Sequence, residues 1–273
     1  MIKKEGGDTV KLFDRIMILL LNLALLFSAI LVHALALAES PAYYRRAFAR
    51  TGLYERIGED GMAYRTVTYF VNGDPDVYAL LSDEQLDEIA LHIVSYVKGD
   101  VEDFELYMDR VYLNDGYANN VRIFGDAAIS HMADVRALVK AAEAAAAILC
   151  AMIPILLAYV IVRRRTVGRF VLRYTLVFYL ALLSLAALFI LLTALFNGGE
   201  LPFVQALWRN IHYLFFPFQP KKVAGSFFDD ALTYILRIDL FMGAVYTILG
   251  ILIATLSLFA LLAVWLRRCA RGK

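Results

Sequence analysis

AAAAILCAMIPILLAYVIV, residues 144–162, runs directly into Arg163-Arg164-Arg165, and this junction decides how the chain is read. An apolar run of about 20 residues, coiled as a helix, matches the hydrocarbon thickness of a bilayer. The arginine triplet, joined by Arg169 and Arg173, makes a short and strongly basic loop. Lysine and arginine favour the cytoplasmic side, so that loop is expected inside. The chain therefore leaves the outer face at this span and re-enters the membrane after the loop.

Outward from that junction the same pattern recurs. Of the 273 residues, 61% are hydrophobic and the mean hydropathy is +0.63, above what a soluble domain carries. The excess sits in four blocks: 16–37, 141–163, 170–196 and 240–266. Lys3, Lys4, Lys11 and Arg15 precede the first, and Arg267, Arg268, Arg271 and Lys273 follow the last. The expected layout is a cytoplasmic N-terminus over 1–15, a cytoplasmic loop over 164–169 and a cytoplasmic tail over 267–273. Residues 38–140 and 197–239 then lie on the non-cytoplasmic side of the membrane. Ala36-Leu37-Ala38 before Glu39 resembles a signal-peptide cleavage site, but the preceding run exceeds the usual ~7–15 residues of such signals, so an uncleaved anchor is expected.

The fold class expected is an all-α membrane protein of four spans. A mainly helical cap lies between the first two, and an aromatic segment at the interface between the last two. In the cap, Ser82 with Gln85 forms a capping box for a helix through Val97, with Leu86, Ile89, Ile93 and Val97 on its apolar face and Gly99 ending it. Phe104 to Met108 begins a second short element, and Asn72-Gly73-Asp74-Pro75 and Asn114-Asp115-Gly116 mark turns. The cap's core is expected to be thin. His92 falls opposite the apolar face and is expected in solvent, while His33, flanked by apolar residues, is expected to be packed.

Net charge of +1 and the lack of a basic tract interleaved with aromatics exclude nucleic acid as a partner. Cys150 and Cys269 have no metal-ligand spacing and form no external disulfide pair, so both are expected to be inert thiols. No Gly-x-Ser-x-Gly elbow, His-Glu-x-x-His or phosphate-cradling glycine loop occurs. A serine or zinc hydrolase is disfavoured and no cofactor or metal is expected. A transporter would need ionisable residues at mid-membrane, and the spans have essentially none.

Two stretches remain that carry proton chemistry. From Asp126 onward the residues favour a helix running unbroken into the second span, which sets His131, Asp134, Val135 and Leu138 on one face by their i, i+3 and i+4 spacing. Asp134 can orient an imidazole at His131, as a general base requires; an exposed pair on a solvated helix end has the same pattern. Val204 to Phe216 reads as a helix lying in the headgroup layer, with Arg209 and His212 on one flank, and an aromatic anchor segment has the same pattern. Asp230, Tyr234 and Arg237 follow at helical spacing, either as site charges and hydrogen-bonding groups or as a salt-bridged helix face.

At His131-Met132-Ala133-Asp134-Val135 ahead of the second span, and at His212-Tyr213-Leu214-Phe215-Phe216 followed by Phe227-Phe228 and the last span, the chain resembles the lipoprotein intramolecular transacylases, bacterial integral membrane proteins. Where that family tends to carry an acidic residue about one turn before its first histidine, this chain has Ala128, with Asp126 the nearest carboxylate. The resemblance implies a reaction on diacylglyceryl-modified lipoproteins in membrane lipid. The sn-2 acyl chain of the lipid-bearing cysteine would move to that residue's own α-amino group. It implies His131 and His212 as base and acid in exchangeable roles, and Asp134, Arg209, Asp230, Tyr234 and Arg237 as supporting groups. The competing expectation is a non-catalytic membrane protein whose acidic cap binds a partner protein. Counting back from Val162, His131 stands roughly 18 Å along the helix above the hydrocarbon edge near Glu143.

Overall fold

The computed structural model describes residues 11–50, 66–68, 78–113, 116–195, 232, 235–236, 243–257 and 261. The chain divides into two compact units, one of Met1–His33, Glu143–Leu201 and Thr247–Lys273, the other of Ala34–Ala142 and Pro202–Tyr246.

The first unit is built on long apolar helices. Helix α1 (Leu12–Ala38) contains neither Gly nor Pro, so nothing in it interrupts the hydrogen-bond ladder. It packs Leu21 and Ala24 against Leu156 of α4 (Asp126–Val162), with Met17, Leu25, Leu149 and Ile153 around them. Two polar contacts add direction to this packing. Asp14, almost fully buried, accepts the Tyr159 hydroxyl at 2.6 Å and lies 3.5 Å from Arg163 Nε, tying the start of α1 to the end of α4. Asn22 donates from Nδ2 to the Ile18 carbonyl and to Thr175 Oγ1 of α5 (Arg164–Leu195), at 2.8 and 3.3 Å. Side chains such as these hold helices together where lipid supplies no hydrophobic drive between them.

Leu20, Phe27, Ile148, Ile155, Val177 and Leu188 point away from the packing and are exposed. A run of exposed apolar side chains along whole helices suits a lipid surround and not water. Among the described residues two helices, α1 and α4, are long and apolar enough to span a bilayer, and shorter apolar helices cover Arg173–Leu185 and Gly243–Ser257, the latter here α6. The basic stretch 164–169, expected as a loop, is helical. Arg163 alone separates α4 from α5. Arginine and threonine carry no backbone reason to stop a helix, and their charge marks a membrane side without marking a turn.

The second unit adds short strands to a mainly helical chain. Among its described residues, besides α2 (Pro41–Arg50), α3 (Asp83–Lys98) and the first turns of α4, there are six short strands: β1 (Thr66–Thr68), β2 (Tyr78–Leu80), β3 (Tyr107–Met108), β4 (Val111–Leu113), β5 (Gly116–Ala118) and β6 (Val121–Arg122). Antiparallel pairing sets the order β1-β2-β4-β5 in one sheet and β3-β6 in the other. These segments are rich in Tyr, Val and Thr and too short to repay helix nucleation. Arg110 and Asn120, both at positive φ, interrupt them. The Arg110 amide donates to Asn119 Oδ1 and the Asn120 amide to Asp109 Oδ1, at 2.9 and 2.8 Å, which stitches the two turns together. Leu113 pairs with Gly116 in the β4–β5 hairpin, in register with the turn read at Asn114-Asp115-Gly116; Asn114 and Asp115 lie outside the described residues, as does Asn72-Gly73-Asp74-Pro75.

Helix α3 follows its sequence closely. Ser82 Oγ accepts from the Gln85 amide while Gln85 Oε1 accepts from the Ser82 amide, a complete capping box. Leu86, Ile89, Ile93 and Val97 are all at most 2% exposed. Gly99 ends the helix at φ +92°, and a Cβ there would come within 3.2 Å of Arg136 Nη2. Replacing Gly99 with Ala is expected to cost about 1–2 kcal/mol from the left-handed backbone. Thermal unfolding of the purified protein in detergent checks this, and an unchanged midpoint would contradict it.

The core of this unit is thicker than its sequence suggested. Tyr43, Tyr44, Ala47 and Phe48 of α2 meet the apolar face of α3, and Phe104 stacks on Phe124 with centroids 4.6 Å apart. Leu232 and Ile235, which precede apolar helix α6 in sequence, complete it. His92 is also not simply solvated. It is half-buried, its Nε2 donates to the Phe104 carbonyl at 3.2 Å, and its ring centroid lies 5.4 Å from that of Phe104. Burial lowers its pKa below the ordinary value of 6.5, against the opposing pull of the Phe104 carbonyl and Glu88. The unfolded chain therefore takes up this proton at higher pH than the folded one. Stability attributable to His92 is full above about pH 6.5 and declines as pH falls toward the lowered folded value. Unfolding midpoints followed from pH 7.5 to 5 are expected to fall more steeply for the wild type than for His92→Gln; parallel curves would contradict this.

Candidate functional site

Helix α4 carries the first histidine motif. It begins at Asp126, an acidic residue well placed at a helix N-terminus, and continues to Val162 through Pro154 without a break. The helical run expected from Asp126 onward is thus observed. It retains the offset of roughly 18 Å between His131 and Glu143 along its axis.

His131 is 8% exposed and belongs to the inward stripe of α4. Ala128 and Met132 in the same stripe are part of the core, and Val135 and Val139 pack against it. Asp134 is exposed. The single face drawn through His131, Asp134, Val135 and Leu138 is therefore divided. Positions i and i+3 sit about 60° apart around a helix, and here that angle crosses the boundary between core and surface. No hydrogen bond joins Asp134 to the His131 ring among the described residues. His212, Arg209, Asp230, Tyr234 and Arg237 lie outside the described residues. Leu232 and Ile235, which lie between Asp230 and Arg237 in sequence, are buried in the same core as Ala128 and Met132 of α4.

The place where an acidic residue was looked for, Ala128, is fully buried and has only a methyl group. Asp126 does not substitute for it. Its carboxylate is exposed and accepts from Arg122 Nη2 at 2.7 Å; the same nitrogen reaches Glu105 Oε1 at 2.8 Å. These two carboxylates, first through the hydrogen bond that Asp126 accepts, raise the guanidinium's pKa and keep it charged. The local negative charge ahead of His131 is thus neutralised on the surface and not directed at the imidazole.

Two residues that the sequence reading passed over hold this part of α4 in place. Arg136 donates from Nη1 to the carbonyls of Val101 and Glu102, at 3.1 and 3.0 Å, and its guanidinium lies 4.9 Å from the Tyr96 ring centroid. Lys140 Nζ donates to the Lys98 carbonyl at 2.8 Å. Lys140 meets an orphan carbonyl at the C-terminal end of α3, where the helix dipole favours positive charge, and Arg136 binds the loop that follows Gly99. Their spacing of one turn, on the stretch between His131 and the span, was the available signal. What they do depends on a partner helix more than thirty residues away, which no local pattern names. Together they fix the axial position of His131 against α3. His33 is held within its own helix, with Nδ1 2.6 Å from the Ala29 carbonyl.

An imidazole set into an apolar helix face, on a helix clamped by two cations and continuous with a membrane-length segment, is suited to proton transfer beside a lipid surface. Comparison with known proteins bears on which reaction that is. No curated protein matches the chain. A solved structure of similar fold is the in meso structure of the membrane integral lipoprotein intramolecular transacylase Lit from Bacillus cereus, with a TM-score of 0.51 and 14% identity over 96% of this chain and 99% of that one. At that identity the likeness is one of fold. The family described as lipoprotein intramolecular transacylase Lit matches residues 15–219, which take in both histidine motifs and most of the chain. With that match the chain is a membrane protein of the Lit family of lipoprotein intramolecular transacylases.

Proposed function

We propose that this protein moves the sn-2 acyl chain of a diacylglyceryl-cysteine lipoprotein to the α-amino group of the same cysteine, leaving a lyso-form N-acylated lipoprotein. The observation that carries the reading is the family match across residues 15–219, within which His131 occupies an inward, apolar position. The chemistry balances within one substrate molecule. The amine nitrogen attacks the sn-2 ester carbonyl, the ester C–O bond breaks, the amine gives up a proton and the departing glyceryl oxygen takes one. Near neutrality the amine, with a reference pKa of about 8, is largely protonated, so a base is needed. Donor and acceptor share one molecule, so holding them in attack geometry supplies much of the acceleration.

In this reading His131 acts as base and His212 as acid, or the reverse. Asp134 influences the first imidazole from the surface, and Arg209, Asp230, Tyr234 and Arg237 add charge and hydrogen bonds around the second. The chain crosses the bacterial cytoplasmic membrane four times with both termini inside, and the reaction takes place on the outer side. The test follows the acyl group. A lipoprotein whose sn-2 chain alone is isotopically labelled is incubated with the protein, and its N-terminal lipopeptide is analysed by mass spectrometry. The label is expected in amide linkage with a free glyceryl hydroxyl. Label that stays in the ester, or an amide chain drawn from an unlabelled donor, would overturn the proposal.

A further inference from the structure

Helix α2 carries Arg45, Arg46 and Arg50 and no acidic residue. Its other face, Tyr43, Tyr44, Ala47 and Phe48, is buried in the core, so all three arginines lie on the exposed side. Arg45 is neutralised by Asp87, 3.1 Å away. Arg46, also exposed, donates from Nε to its own helix at the Ala42 carbonyl, 3.0 Å away. Arg50 follows one turn later on the same stripe.

The depth of this stripe follows from the end of α1. Helix α2 starts three residues after α1 stops and is bonded to its last residue, the Tyr44 hydroxyl donating to the Ala38 carbonyl at 3.3 Å. A Cβ on Gly243 of apolar helix α6 would meet Arg50 Nη1 and the Tyr43 hydroxyl at 3.7 Å. The arginine stripe thus follows directly on the end of a membrane-length helix, which points to headgroup level. On the topology proposed above this is the outer face, where the usual bias disfavours arginine. A cluster placed there against that bias calls for a binding reason.

We infer that Arg46 and Arg50 form a binding site for the phosphate of an anionic glycerophospholipid headgroup at the outer end of α1. Guanidinium groups one turn apart can take the oxygens of one phosphodiester in charge-assisted pairs. The aliphatic stems lie along the helix above the acyl region. Such a site would keep an annular lipid seated beside the cap, independently of the acyl-transfer chemistry.

The test uses the full-length protein in nanodiscs of mixed phosphatidylglycerol and phosphatidylcholine, with protein-retained lipid measured after detergent extraction. The wild type is expected to retain phosphatidylglycerol preferentially. Arg46→Gln/Arg50→Gln is expected to lose that preference by on the order of 25-fold, since each arginine near an anionic surface contributes about five-fold. Arg110→Asn removes an exposed charge while keeping a residue tolerant of positive φ, and it is expected to retain lipid as the wild type does. A second measurement needs no variant: the wild-type preference is expected to erode from ~0.01 M to ~1 M salt as the screening length shrinks. A preference that survives high salt, that persists in the double variant, or that soluble glycerol phosphate displaces as readily as lipid does would overturn the proposal.

Discussion

Replacing His131 with Ala is expected to reduce formation of the N-acylated lyso-form by about 10²–10⁴-fold, the range lost with a general acid or base. The side chain sits in the inward stripe of α4 between Ala128 and Met132, so the variant removes an almost fully buried ring. A general loss of fold is separated from a loss of chemistry by comparing unfolding midpoints in detergent and by including His131→Asn, which keeps a polar side chain of smaller size. His212→Ala is expected to cause a loss of the same order. If the two imidazoles act as a unit, the double variant loses little more than either single one. Lipopeptide mass spectrometry reads all four proteins. Wild-type yield from folded His131→Ala and His212→Ala would end the catalytic assignment, while a loss in only one would leave that one as sole proton carrier.

The second large effect is on stability. Phe104→Ala is expected to destabilise the second unit by about 3–5 kcal/mol, the usual cost of deleting a buried phenyl ring. Phe104 is 1% exposed; its ring stacks on Phe124 and lies 5.0 Å from that of Tyr96. Its carbonyl also receives the His92 hydrogen bond. Removing the ring therefore leaves a cavity where α3, the loop after it and the start of α4 meet. Tyr107→Ala, at an exposed position three residues on, is expected to stay within about 0.5 kcal/mol of the wild type. Urea unfolding monitored by near-UV signals, with hydrogen exchange to locate the change in residues 81–132, reads both. Equal midpoints for Phe104→Ala and wild type would show that this cluster does not support the cap.

How far the sequence reaches is clearest in contrasting pairs of elements. Helix α3 was legible down to its cap, because a capping box, a 3.6-residue apolar repeat and a terminal glycine are all local signals. The strands beside it were not, because pieces of two or three residues carry almost no periodicity and gain their stability from partners across the sheet. The continuity of α4 from Asp126 was legible from unbroken helix-favouring composition, whereas the helical start of α5 at Arg164 was hidden by reading charge as a loop. His131 was legible as a candidate from its type and place beside a span. That it faces inward while Asp134 faces out was not, since a difference of about 60° around the axis matters only once a neighbouring surface exists.

Membrane residence, the helical periods and the two histidine motifs were settled by sequence alone, because the hydrophobic effect and helix geometry act within a window of some twenty residues. Tertiary structure alone decided which face of α4 holds His131, that Arg136 and Lys140 clamp it to the end of α3, and that Leu232 and Ile235 close the core of the second unit from far along the chain. Each of these depends on contacts between residues distant in sequence, and the free energy of such contacts is defined only when packing has brought both partners together.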